Sequence, residues 1–148
     1  MPSSWVRRLA PWLPPALATV GIWFLSSLPH LRPPGPYFPH RDKVFHAVQF
    51  GLLGYLFARA AMRSWPRHHP RTVWFGVLLT SAIGLLDELH QAFVPGRDAD
   101  VLDWLADTLG GVLGAWCRWG VYCWLEGSEA VRRSGQGAAE RPRGGTER

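Results

Sequence analysis

Cysteine is scarce in this sequence, and the spacing of its two copies argues against common cysteine sites. Cys117 and Cys123 lie six residues apart inside an apolar block, which matches neither a metal-binding knuckle nor a CxxC redox pair. The sequence also has no HExxH motif and no histidine pair at the spacing of a zinc site. We therefore interpret both cysteines as small apolar packing residues and predict no zinc site.

Charged residues are also few, at 18% of the chain, although the net charge is +5 and the pI is near 10.0. The arginines flank apolar blocks and do not alternate with exposed aromatic residues along a polar surface, as they would in a nucleic-acid-binding protein. The nine tryptophans lie mostly near the ends of those blocks, as in the aromatic belts of membrane proteins. The composition thus argues against nucleic acid and favours a membrane.

Long apolar blocks are the main feature that is present. A helix of about 20 apolar residues spans a bilayer core, and four blocks of that length predict helices over residues 9–28, 43–62, 73–93 and 101–125. No small-residue cleavage pattern follows the first block, so we expect it to be retained and not removed as a signal peptide. The predicted fold is all-α, a four-helix transmembrane bundle over residues 1–125.

The basic residues at the helix ends predict the orientation, because cytoplasmic loops carry an excess of Lys and Arg. We expect a multi-pass protein of the bacterial cytoplasmic membrane with both termini cytoplasmic. Residues 126–148 are rich in Gly, Ser, Arg and Glu, which predicts a disordered cytoplasmic tail. The cytoplasmic side holds Arg7, Arg8, Arg59, Arg63, Arg67, Arg71, Arg118, Arg132 and Arg133, and the outer side holds Arg32, Arg41, Lys43 and Arg97.

Polar residues interrupt three of the blocks at helical spacing. Charged groups inside apolar spans are costly and usually face a bundle interior or a cavity. Because the chain reverses direction at each loop, we expect the three stripes to converge at the outer membrane face. The stripes are Asp42, His46, Gln49 and Leu53; then Thr80, Gly84, Asp87 and Gln91 with Glu88 and His90 alongside; then Asp100, Asp103, Asp107, Gly110 and Gly114.

Each of these residues also has an ordinary structural explanation. Asp42 and Asp100 stand where an N-cap or a helix-dipole partner would stand. His46 fits an interhelical hydrogen bond, and the two glycines of the fourth helix form a GxxxG packing pattern. The coincidence of three stripes at one face nevertheless favours a shared polar site.

Two segments resemble the VanZ-like family, namely RDKVFHAVQFGLLGYL and LLDELHQAFVPGRDADVLDWLADTLGGVLG, and LSSLP at the end of the first helix does so too. The resemblance covers about residues 25–115. The family commonly has Asn where this chain has Asp107. A second carboxylate near Asp103 raises the local repulsion, so that this pair more readily binds a proton or a cation. The positions that carry the pattern are Asp42, Lys43, His46, Asp87, Glu88, Gln91, Phe93, Pro95, Arg97, Asp100, Asp103, Gly110 and Gly114.

The resemblance implies a small integral membrane protein related to the teicoplanin-resistance protein VanZ. The leading hypothesis is a non-catalytic outer pocket that binds an envelope lipid headgroup, a cell-wall intermediate or a glycopeptide. In it, Arg41, Lys43 and Arg97 would contact anionic groups. The ligand-binding candidates are Arg41, Asp42, Lys43, His46, Gln49, Asp87, Glu88, Gln91, Arg97, Asp100, Asp103 and Asp107.

Three alternatives stay open. The first is a membrane-embedded enzyme acting on lipid or polyprenyl-phosphate headgroups, with the catalytic candidates His46, Asp87, Glu88 and Asp103. No cofactor is predicted, although Asp87, Glu88, Asp103 and Asp107 offer oxygen ligands for Mg²⁺ or Ca²⁺. The second is a proton or ion path, which the end of the polar stripes near mid-membrane disfavours. The third is purely structural ion pairing, which the excess of acids over bases disfavours.

Overall fold

The structure is a computed structural model that describes residues 4–30, 35–65 and 70–139, and within these ranges the chain is helical without any strand. The helices are α1 (Ser4–Leu9), a 3₁₀ turn (Ala10–Trp12), α2 (Leu13–Ser26), α3 (Arg41–Ser64), α4 (Pro70–Gln91) and α5 (Val101–Ala139). Since α1, the turn and α2 follow one another without a break, there are four helical segments. The predicted all-α fold is confirmed. Arg32 and Arg67, two of the basic residues that predict the orientation, lie outside the described residues.

Prolines set the form of the first helical segment. Pro11, Pro14 and Pro15 lack the backbone N–H that an α-helix needs, and the chain passes through the 3₁₀ turn at this point. The turn is fixed to α3 because Trp12 Nε1 donates a hydrogen bond to Ser64 Oγ at 2.8 Å. This contact attaches the first segment to the far end of α3.

The turn between α4 and α5 brings the polar ends of these two helices together. Gly96 has φ +77°, a left-handed conformation that suits glycine, and the ring of His30 lies where a β-carbon of residue 96 would be. Asp100 then caps α5, since its Oδ1 accepts a hydrogen bond from the backbone N–H of Leu102 at 2.8 Å. This is the capping role expected for Asp100.

The last helix is longer than predicted. The expected end at residue 125 and the disorder expected from residue 126 need correction, because α5 continues to Ala139. No proline occurs between Val101 and Ala139, so no residue in this range blocks the helix. Residues 140–148 of the predicted tail lie outside the described residues.

The closest packing is between α3 and α5, and glycine makes it possible. A β-carbon at Gly114 would collide with the carbonyl oxygen of Gly51, and one at Gly110 with that of Ala47. The predicted GxxxG pattern is therefore a real packing seam, and Gly51 and Gly54 of α3 form its opposite side.

Four membrane spans are predicted from the sequence, and among the described helices two meet the requirement in length and apolar composition. These are α3 and α4, with 24 and 22 residues. Helix α2 has 14 residues on its own. It forms a longer helical segment only together with the 3₁₀ turn and α1.

Candidate functional site

The three polar stripes lie together at one end of the bundle. The start of α3, the end of α4 and the start of α5 are neighbours there. Several acidic side chains of the stripes face the interior of the bundle. Asp87, Glu88, Asp103 and Asp107 are all at most 8% exposed. We call the following group the polar cluster: Lys43, His46, Asp87, Glu88, Gln91, Asp100, Asp103 and Asp107.

Lys43 connects α3 to the start of α5. Its Nζ donates hydrogen bonds to Asp100 Oδ2 at 2.6 Å and to Asp103 Oδ1 at 2.8 Å, and it lies 3.6 Å from Asp42 Oδ2. The hydrogen bond from Lys43 lowers the pKa of Asp100, and the bond from the Leu102 N–H lowers it further. The charge of Lys43 is thus already balanced within the protein, which favours a structural role for this residue.

His46 lies between two acids from the other helices. Its Nδ1 is 3.0 Å from Asp107 Oδ1 and 3.9 Å from Glu88 Oε1. The other oxygen of Glu88, Oε2, accepts a hydrogen bond from the backbone N–H of Asp100 at 2.8 Å. One side chain from each of α3, α4 and α5 therefore meets at a single point.

Asp87 connects α4 to the first helical segment. Its Oδ2 accepts hydrogen bonds from Ser26 Oγ at 2.7 Å and from Gln91 Nε2 at 2.8 Å. Ser26 is buried at the last turn of α2. The first segment thus contributes to a cluster that the sequence stripes assigned to the other three helices alone.

The cluster has more hydrogen-bond acceptors than donors. Asp87 Oδ1 and Asp107 Oδ2 are buried and lack a hydrogen-bond partner among the described residues. In the same part of the chain no Lys or Arg forms a salt bridge with Asp87, Glu88 or Asp107. Buried polar atoms are normally paired, so these two oxygens require an explanation.

Other predicted site residues lie at the edge of the cluster or outside it. Arg41 donates a hydrogen bond to the carbonyl oxygen of Gly35 at 2.8 Å and lies over the ring of Tyr37, so it faces the preceding loop. Asp42 is exposed, and Gln49 is half-buried on the same face of α3 as His46. Arg97 is half-buried in the turn after α4.

Several residues contribute to the site in ways that the sequence did not predict. Gly84 leaves room for an acid, because a β-carbon there would lie 2.9 Å from Asp107 Oδ2. Ser27 Oγ lies 2.9 Å from His90 Nε2, and the His90 ring stacks on Trp23. Ser26 and Ser27 belong to the LSSLP segment, so the family resemblance was the one available sign of their involvement.

The arrangement can do two things chemically. It contains buried carboxylate oxygens, which accept hydrogen bonds from hydroxyl or amino donors. It also brings potential metal ligands together, because single donor atoms of His46, Glu88 and Asp107 lie within 4.8 Å of one another. Arg41 and Lys43, expected to contact anions, are instead engaged with groups of the protein itself.

A family model described as VanZ/LLP1 matches residues 9–123, well over half of the chain. No curated protein and no solved structure matches the chain. The matched range includes every residue of the polar cluster and all of α2, α3 and α4.

Proposed function

The chain belongs to the VanZ/LLP1 family, and we propose that it is a multi-pass protein of the bacterial cytoplasmic membrane that binds the headgroup of an envelope lipid or a lipid-linked cell-wall intermediate. The proposed binding site is the polar cluster, which we place at the end of the bundle on the outer side of the membrane. The observation that carries the proposal is the pair of buried carboxylate oxygens, Asp87 Oδ1 and Asp107 Oδ2, that no described protein group satisfies.

The distribution of apolar side chains supports membrane residence. On α3, the polar residue His46 faces inward, whereas Val44, Val48 and Leu52 on the outer face are 48%, 67% and 59% exposed. Helix α5 repeats this arrangement, with Asp107 inside and Leu109 outside at 62% exposure. A water-soluble protein has the opposite arrangement, and so large an apolar exterior suits lipid.

The orientation follows from the arginine distribution and can be tested by labelling. In a variant with Cys117 and Cys123 replaced by serine, a single cysteine is placed at Asp98, in the α4–α5 turn, or at Arg63, near the end of α3. We expect a membrane-impermeant maleimide to label Asp98→Cys in intact spheroplasts and Arg63→Cys only after permeabilisation. The reverse pattern would place the cluster on the cytoplasmic side and contradict the proposal.

The ligand chemistry follows from the surplus of acceptors. Ethanolamine, glycerol and sugar groups carry amino or hydroxyl donors that would complete the unpaired oxygens of Asp87 and Asp107. Hydrogen bonds to a charged partner contribute about 1.5–3 kcal/mol each. A headgroup that presents such donors is therefore favoured over one recognised mainly through its phosphate by Lys43.

Native mass spectrometry of the purified protein tests this binding. We expect wild type to retain lipid in a mild detergent and Asp87→Asn to retain roughly tenfold less, since one charged acceptor is lost. The control is Asp98→Asn, which changes an exposed acid outside the cluster. Equal retention by Asp87→Asn and wild type, with both proteins folded, would refute the proposal.

A glycopeptide such as teicoplanin carries the same donor types on its sugars and amines, and the proposal extends to a role in resistance. Cells that express the wild-type chain should then tolerate more teicoplanin than cells that express Asp87→Asn. Equal susceptibility at equal protein levels would restrict the proposal to lipids.

The pairing of His46 with Asp107 favours a second candidate function, an enzyme acting on lipid or polyprenyl-phosphate headgroups. An imidazole that donates Nδ1–H to a carboxylate has Nε2 available as a general base. Turnover of a phospholipid or polyprenyl phosphate by the purified protein that His46→Gln abolishes would favour this candidate. Binding without turnover would favour the first.

A further inference from the structure

Three side chains from three different helices form a compact group of potential metal ligands. They are His46 of α3, Glu88 of α4 and Asp107 of α5, and their donor atoms lie within 4.8 Å of one another. Two atoms that each lie about 2.1 Å from one metal ion are roughly 3–4 Å apart. The separations from His46 Nδ1 to Asp107 Oδ1, 3.0 Å, and to Glu88 Oε1, 3.9 Å, fall in that range.

In this group a single imidazole, that of His46, faces two carboxylates, so their charge is balanced at most in part. Asp107 is fully buried, its Oδ2 has no hydrogen-bond partner among the described residues, and no Lys or Arg of that part of the chain pairs with Asp107 or Glu88. Lys43, the single lysine of the sequence, donates its hydrogen bonds to Asp100 and Asp103. Buried carboxylates are ordinarily paired with a cation or coordinate a metal.

We propose that His46, Glu88 and Asp107 bind a single divalent transition-metal ion. One imidazole nitrogen with two carboxylates suits Zn²⁺ or Mn²⁺ better than Mg²⁺ or Ca²⁺, which prefer oxygen ligands alone. Three protein ligands leave coordination positions for water or a ligand atom. The nitrogen His46 Nδ1 cannot donate a hydrogen bond to Asp107 and coordinate the ion at the same time. When the ion binds, Nδ1 therefore releases its proton to solvent. The metal site shares Asp107 with the proposed headgroup site, but metal binding does not depend on headgroup binding.

The experiment uses the full chain in detergent, stripped with EDTA and dialysed. ZnCl₂, MnCl₂ and MgCl₂ are titrated separately by calorimetry, and bound metal is counted by elemental analysis. Wild type should bind Zn²⁺ more tightly than Mn²⁺ and Mg²⁺ most weakly, following the general affinity order of nitrogen and oxygen sites. Glu88→Gln and Asp107→Asn should each weaken Zn²⁺ binding at least tenfold.

The matched control is Asp98→Asn, an exposed acid in the α4–α5 turn, which should bind Zn²⁺ as wild type does. Thermal melting of every variant verifies that it is folded. Zinc held by exposed histidines would be retained in all variants, so the assigned ion is the one that Glu88→Gln and Asp107→Asn lose and Asp98→Asn keeps. The absence of such an ion from folded wild type, or its equal retention in both cluster variants, would overturn the assignment.

Lipid retention measured in EDTA separates this inference from the proposed function. Retention without bound metal leaves the headgroup proposal standing and refutes the metal site if Zn²⁺ also fails to bind. Zn²⁺ binding without lipid retention would support the metal site and refute the headgroup proposal.

Discussion

A single methyl group added to α5 should have opposite effects at two glycines. At Gly114, an added β-carbon would collide with the carbonyl oxygen of Gly51, so α3 and α5 must separate. At Gly120, on the same helix, no atom lies within 4 Å of the added carbon. Gly114→Ala therefore tests the packing seam, and Gly120→Ala is its control.

The expected magnitude follows from two opposing terms. Forcing an extra carbon into a packed contact costs about 1–3 kcal/mol, whereas replacing a helical glycine by alanine gains about 0.5–1 kcal/mol. Gly114→Ala should lose about 1–2 kcal/mol net, which corresponds to a melting temperature lower by roughly 2–8 °C for a chain of this size. Gly120→Ala should melt at the wild-type temperature or slightly above it.

Tryptophan fluorescence in detergent provides the assay, since the chain has nine tryptophans. Both variants are melted beside wild type under one condition. Should Gly114→Ala melt as high as Gly120→Ala, the close approach of α3 and α5 would be disproved, and the placement of Asp107 beside His46 would lose its support.

Three further predictions concern the polar cluster. Lys43→Met leaves Asp103 without its partner and should lower the free energy of unfolding by about 1–3 kcal/mol in chemical denaturation, with Lys43→Arg closer to wild type. Ser26→Ala removes a hydrogen bond to Asp87 and should destabilise the protein by about 1–2 kcal/mol in the same assay, more than Ser27→Ala on the exposed face. Because the pKa of Asp100 is lowered on folding, its contribution is present above about pH 4 and is lost as the pH falls further. Melting from pH 6 to pH 3 should therefore show an acid-dependent loss in wild type that is smaller in Asp100→Asn.

Helical spacing was sufficient to predict which faces of α3, α4 and α5 are polar. Of the residues expected to face inward, Leu53, Thr80, Asp87 and Asp107 are buried, whereas Asp42 at the start of α3 is exposed. The GxxxG pattern likewise predicted a packing seam, because small residues four apart allow two helix backbones to approach. These are local regularities, which a sequence displays directly.

Pairings between helices were not predictable from the same regularities. Spacing places His46 and Asp107 on faces but does not fix helix rotation or height, which decide that these two side chains meet. Ser26 has no polar repeat around it, so its bond to Asp87 depends on how α2 packs against α4. The length of α5 was underestimated because a polar composition was taken to indicate disorder, whereas the absence of proline allows the helix to continue.

The central claim, that the polar cluster binds a headgroup, is tested most directly by locating a bound lipid. The protein is reconstituted into vesicles containing a phosphatidylethanolamine with a photoreactive group close to its amine, irradiated, digested and mapped by mass spectrometry. We predict cross-links concentrated between residues 87 and 107 that are lost in Asp87→Asn. Cross-links spread evenly over the apolar surface, and unchanged in that variant, would contradict the account.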